Sequence, residues 1–120
     1  MKIIPWKLPL VASWTRALDL KEISFAESRL VLLLEEEQGA SWRLTFKTVQ
    51  AFRTTTEECA GPIFEKLPEN GGLFEVHESP WIKELGEAHF LAKSHHYIVC
   101  CYDDVVEIVA WEAEATPVEK

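Results

Sequence analysis

From Lys93 to Glu112 the chain reads KSHHYIVCCYDDVVEIVAWE, and no other stretch limits the fold so tightly. Apolar residues alternate in two runs on either side of Asp103-Asp104, and a period of two marks β-strands. A symmetric antiparallel hairpin about that acidic turn pairs Tyr102 with Val105, Cys101 with Val106, Cys100 with Glu107 and Val99 with Ile108. Ile98 then meets Val109, Tyr97 meets Ala110, and His96 meets Trp111. One face carries Tyr97, Val99, Cys101, Val106, Ile108 and Ala110 and belongs on a core. The other carries His96, Ile98, Cys100, Glu107, Val109 and Trp111.

This geometry argues against a metal or thiol centre. Zinc needs donors converging within about 2 Å of one point. His95 and His96 diverge to opposite faces, as do Cys100 and Cys101, while His96 and Cys100 stand about 13 Å apart along one strand. The chain has no C-x-x-C, H-x-x-x-H or H-E-x-x-H spacing. Cys100 and Cys101 are expected to be small buried apolar residues. No spacing sets a histidine against Cys59 or Cys100 to activate a thiolate. No catalytic residue, metal or cofactor is therefore expected.

Glu107 does not fit an apolar strand, because a buried carboxylate is costly unless paired. Three explanations stand side by side. The face is wet at its turn end; or Arg43 or Arg53 from another strand pairs with Glu107; or Glu107 lies in a recess as a ligand-binding or acid/base carboxylate.

Elsewhere the strand signals continue. RLVLLLEEE (29–37) is a Leu-rich strand, and a Gly-containing turn at Gln38–Ser41 leads to Trp42, Leu44 and Phe46 alternating with Arg43, Thr45 and Lys47. Past Lys47 the apolar positions move to Val49, Ala51 and Phe52, which predicts a bulge or bend near Thr48. VASWTRALDL spaces Val11, Trp14 and Leu18 for a short helix, while KEISFAES is equally suited to a strand. TTTEECAGP suggests a threonine-capped helical turn stopped by Gly61-Pro62, and LPENGG (67–72) is a loop. LFEVHE (73–78) reads as a strand with Phe74 and Val76 on one face. SPWIKELG (79–86) is a two-turn helix: Ser79 caps it, Pro80 opens it and Gly86 closes it. His77, Glu78 and Trp81 meet at that strand-to-helix junction, where free backbone N–H groups are available to an acceptor unless Glu78 and Ser79 satisfy them.

A chain of 120 residues, 48% hydrophobic, is expected to fold as one domain over residues 1–120. The fold class expected is α+β: a mostly antiparallel, twisted sheet of five to seven strands with one or two short helices. Three unpaired-looking cysteines suit reduced thiols and a cytoplasmic setting. Pro5, Lys7 and Pro9 break the apolar start, and no apolar run is long enough to span a bilayer, so no membrane association is expected. Residues 1–60 carry eight basic and eight acidic groups, whereas residues 61–120 carry four and twelve, which places the net charge of −8 in the C-terminal half. Such a surface repels nucleic acid and favours a basic protein partner.

Ser79-Pro80-Trp81, His96-Tyr97-Ile98, Asp103-Asp104, Val106-Glu107-Ile108-Val109 and Pro117 together resemble a layout found in small bacterial proteins of uncharacterised families. Some small acidic domains of that general type are immunity proteins that neutralise a toxin, and the resemblance implies an interaction role without assigning any residue to it. Two functions are expected to compete. One is a non-catalytic interaction module whose acidic C-terminal half binds a basic protein through exposed Trp and Tyr anchors. The other is a small-molecule binder or enzyme using a recess around Glu107, His96 and Trp111. Strand-rich apolar content is also compatible with a homo-oligomer.

Overall fold

The computed structural model describes residues 1–8, 18–37, 39–67, 72–86 and 89–118, with the side chains of 89 and 90 set aside. Seven strands form one antiparallel sheet: β1 (Lys2–Pro5), β2 (Leu18–Ala26), β3 (Arg29–Glu36), β4 (Ser41–Thr56), β5 (Leu73–His77), β6 (His95–Cys100) and β7 (Asp104–Val118). Their order is β1-β5-β6-β7-β4-β3-β2. Two short helices accompany it, α1 (Gly61–Phe64) and α2 (Pro80–Leu85), so the protein is dominated by sheet. No helix among the described residues is long and apolar enough to cross a membrane.

The spine is the pairing of β4 with β7, which runs from Ser41↔Val118 to Thr56↔Asp104. On one side of the sheet, Leu30, Leu32 and Leu34 from β3 share a cluster with Tyr97 and Val99 from β6. Strands about 4.8 Å apart would hold β3 and β6 about 14 Å from each other in a flat sheet. The sheet therefore curls around this core, and the curl brings Leu18 of β2 to the far hairpin, where its carbonyl accepts from Tyr102 N at 2.9 Å. Trp6 fills the hollow between Phe46 and Tyr97, with ring centroids 6.0 and 4.6 Å away.

Among the described residues the opposite side has a second core over β5, β6 and part of β7. There Phe74, Val76, Ile98, Cys100 and Val105 are buried with Ala60, against Ile63, Phe64 and Leu67. Cys100 and Cys101 thus enter different cores. Both are fully or almost fully buried, as their reading as small apolar residues requires, while Cys59 is exposed.

The hairpin of β6 and β7 keeps the expected faces but not the expected register. Cys100 pairs with Val105, Ile98 with Glu107 and His96 with Val109, a slide of two residues that leaves each side chain on its face. The turn is centred on Tyr102-Asp103 rather than Asp103-Asp104, with Cys101 N donating to Asp104 O. Tyr102 N is held by the distant Leu18 carbonyl, a contact that local turn chemistry does not encode.

The β3–β4 hairpin follows its pattern, with Gly39 at φ 95° in the turn. Glu36 is buried all the same, because Trp42 Nε1 donates to its Oε2 at 3.1 Å. Thr48 has φ 55° and the β4–β7 register shifts between Val49 and Ala51, the bulge that the sequence pattern requires. At residues 57–64 the expectation is corrected. A 3-10 turn spans Glu57–Cys59 without a side-chain bond from Thr56, and Gly61-Pro62 opens α1 instead of ending a helix, since proline fits a first helical turn. Val11 and Trp14 of the expected N-terminal helix lie outside the described residues, as do residues 68–71 of the LPENGG loop; Leu18 begins β2.

Candidate functional site

The side of the sheet that carries α2 holds one connected polar network. Glu107, on β7, is 4% exposed. Arg53 lies directly across from it on β4, and Arg53 Nε donates to Glu107 Oε2 at 2.8 Å. The other carboxylate oxygen, Oε1, is 3.0 Å from Nε2 of buried His96 on β6. His96 Nδ1 is 2.7 Å from Ser79 Oγ, and that same oxygen accepts from Ile82 N at 3.2 Å as the cap of α2. Trp81, in the first turn of α2, presents its ring to the edge of His96 with centroids 5.2 Å apart. The guanidinium of Arg53 lies 4.0 Å over the same ring.

Each group's hydrogens follow from this arrangement. Glu107 as a carboxylate only accepts, so Arg53 Nε–H and His96 Nε2–H both donate to it. Ser79 Oγ already accepts from Ile82, which leaves its hydroxyl hydrogen for His96 Nδ1. A neutral Nε2–H imidazole therefore satisfies every member, and this tautomer is assigned from the network. Burial alone would raise the pKa of Glu107, but the hydrogen bonds from His96 and Arg53, with the charge of Arg53, outweigh it and hold the carboxyl at about 2. Among the described residues no buried side-chain nitrogen or oxygen lacks a partner.

The pairing with Arg53 decides among the explanations open for Glu107: it is not wet, and Arg43 is not its partner. His96 and Trp81 join it, but three other sequence candidates do not. Trp111 is corrected out of the recess: it lies beyond the last β6–β7 pair, His95↔Ala110, and Lys93 Nζ sits 5.1 Å over its ring. The two-residue slide of the hairpin carries it away from His96. His77 and Glu78 also separate from Trp81. His77 closes β5 with Nε2 3.7 Å from Glu75 Oε1, and Glu78, at φ 55°, swings outward to 3.7 Å from the Met1 amine. That positive φ turns the chain between strand and helix and sends the three side chains apart.

Ser79 serves as the expected cap, but its second bond, to His96, was not legible in SPWIKELG. Its signal is an oxygen with a hydrogen to spare after capping. Lys66, and Glu84 from α2, line the opening above the network. On the other face, His95 Nδ1 is 2.9 Å from Glu75 Oε1 beside a hollow of about 440 Å³. Among the described residues no three His, Cys, Asp or Glu side chains are grouped to hold a metal ion.

Ser79, His96 and Glu107 are the residue types of an acyl-transfer triad. Their setting differs from one. Ser79 is 4% exposed with its oxygen engaged by the helix cap, and Glu107 is shared with Arg53. The serine oxygen takes the N–H of the helix start, and the network positions α2 and Trp81 over the sheet. No protein-family model, curated protein or solved structure matches this chain.

Proposed function

We propose that the protein is a non-catalytic α+β interaction module of the cytoplasm, binding a basic protein through the acidic end of its sheet. One observation carries this reading. Tyr102, at 65% exposed, is the most exposed large apolar side chain among the described residues, and the backbone around it carries several acidic residues. Asp103 follows it in the turn and its carbonyl accepts from Glu57 N, which brings Glu57 and Glu58 alongside. The bond from Tyr102 N to Leu18 O draws in Asp19. An aromatic anchor with acidic residues near it in the fold suits a basic epitope, where charge steers the encounter and the ring supplies buried area. Neutralisation of a basic toxin, as immunity-type domains do, is one form of such pairing.

The test is affinity capture from the native cell with the intact protein and with a Tyr102→Ala/Asp103→Asn variant. A basic protein retained by the first and lost by the second, with retention falling as salt rises, supports the reading. Equal retention by both, or an acidic partner, overturns it.

A second reading, a small-molecule site, is favoured by the burial of Glu107 beside His96 at the base of a recess of about 220 Å³. Drug-sized ligands occupy roughly 300–1,000 Å³, so a ligand here is small.

A further inference from the structure

The recess above Glu107 has two unlike ends. Ile3, Ile63, Val76 and Ile98 give it an apolar wall, and Trp81 gives it an aromatic one. The polar end is formed by Arg53, His96 and Glu107, with Lys66 and Glu84 at the rim. Hydrogen-bonding capacity at the polar end is unevenly used. Both oxygens of Glu107 already accept a strong hydrogen bond, one from Arg53 and one from His96. Both nitrogens of His96 are also engaged. Arg53 commits only Nε to Glu107, while its side chain stays half exposed and its guanidinium carbon lies 4.0 Å over the Trp81 ring. A guanidinium has five N–H donors, so the Nη groups of Arg53 remain the donors in surplus.

The geometry points to this recess as a binding site for a small monocarboxylate with an aliphatic or aromatic tail. Its carboxylate pairs end-on with the Arg53 Nη groups and its tail lies against Trp81 and the isoleucines. This inference rests on the small-molecule reading of the recess and adds the ligand's chemistry. The contact with Trp81 and the bond to Glu107 hold the guanidinium before the ligand arrives, which removes ordering cost from binding. A planar fork matches a carboxylate in a way an ammonium does not. A doubly charged phosphate would face Glu107 and Glu84, and it has no tail for the apolar wall. A primary amine would meet Arg53 and find the Glu107 oxygens occupied.

The experiment is an NMR titration of the intact ¹⁵N-labelled protein with sodium butyrate, sodium benzoate, butylamine, benzylamine and inorganic phosphate. The readouts are the Trp81 indole N–H and the Arg53 Nε–H. Butyrate and benzoate are expected to shift both signals saturably, benzoate more tightly, while the amines and phosphate leave them unmoved. Arg53→Lys keeps the charge and loses the fork, and is expected to weaken carboxylate binding about tenfold or more. Lys66→Gln, at an exposed rim position, gives a control that leaves the network intact and is expected to change affinity less than Arg53→Lys. Amine binding at these two signals without carboxylate binding overturns the ligand class and leaves the recess as a site. Carboxylate binding that Arg53→Lys does not weaken, or that shifts other signals only, overturns the assignment to Arg53. No binding by any probe at millimolar concentration overturns both the ligand class and the small-molecule reading.

Discussion

Arg53 stands opposite Glu107 because β4 carries one residue more than β7 at the bulge between Val49 and Ala51. Continuing the Lys47↔Glu112 register would set Arg53 against Val106 instead. That residue's side chain belongs to the other core, so the ion pair would be lost together with the alignment. The extra residue thus couples a backbone irregularity to the electrostatics of a buried carboxylate several residues away.

Glu107 makes the protein's stability acid-sensitive in a defined window. Its pKa is depressed from 4.5 to about 2 in the folded state. The stabilisation is complete above the unfolded value and is lost as pH falls from about 4.5 towards 2. It is on the order of 3 kcal/mol. Urea unfolding of the intact protein and of Glu107→Gln should show a stability gap near pH 6 that has narrowed by pH 3 and closes only as pH approaches 2. A gap independent of pH would contradict the network.

Ser79→Ala removes a helix cap and a histidine partner in one step. The expected loss is about 1–3 kcal/mol, more than an exposed cap alone provides. Long-range ¹⁵N correlation spectra of His96 should show the Nε2–H tautomer in the intact protein and altered Nδ1 shifts in the variant.

Thr48 holds φ 55° although it is β-branched, a conformation that clashes with its own Cβ substituents. Its side chain is exposed. Thr48→Gly should therefore raise stability by about 0.5–1 kcal/mol, read as a higher midpoint in urea with an unchanged slope.

Thiol chemistry should divide the three cysteines. Burial, with lesser contributions from Cys100 and nearby carboxylates, pushes the Cys101 thiol up to about 12, and Cys100 is fully buried. A disulfide reagent at pH 8 should titrate one thiol, Cys59, in the folded protein and three in denaturant. Rapid reaction of more than one in the folded state would show that the sheet opens there.

The sequence displayed the sides of strands far better than their alignment. A period of two assigns Tyr97, Val99, Cys101, Val106, Ile108 and Ala110 to one core whichever even slide the hairpin adopts. It cannot fix the slide itself, which depends on Leu18 holding Tyr102 across the curled sheet. The same slide brings His96 to Glu107 and takes Trp111 away. SPWIKELG announced its cap, its proline and its closing glycine because those signals are local. The second bond of Ser79 and the choice of Arg53 over Arg43 are not local, and each waits on the register of a neighbouring strand.

Cys100 and Cys101 are neighbours in the chain, yet they look into separate interiors, one under the helices and one inside the curl of the sheet. The peptide link joining them is a party wall. Enlarging either sulfur-bearing residue by a methyl group would crowd one room and leave the other untouched, so a matched pair of such variants could weigh the two compartments separately within a single fold.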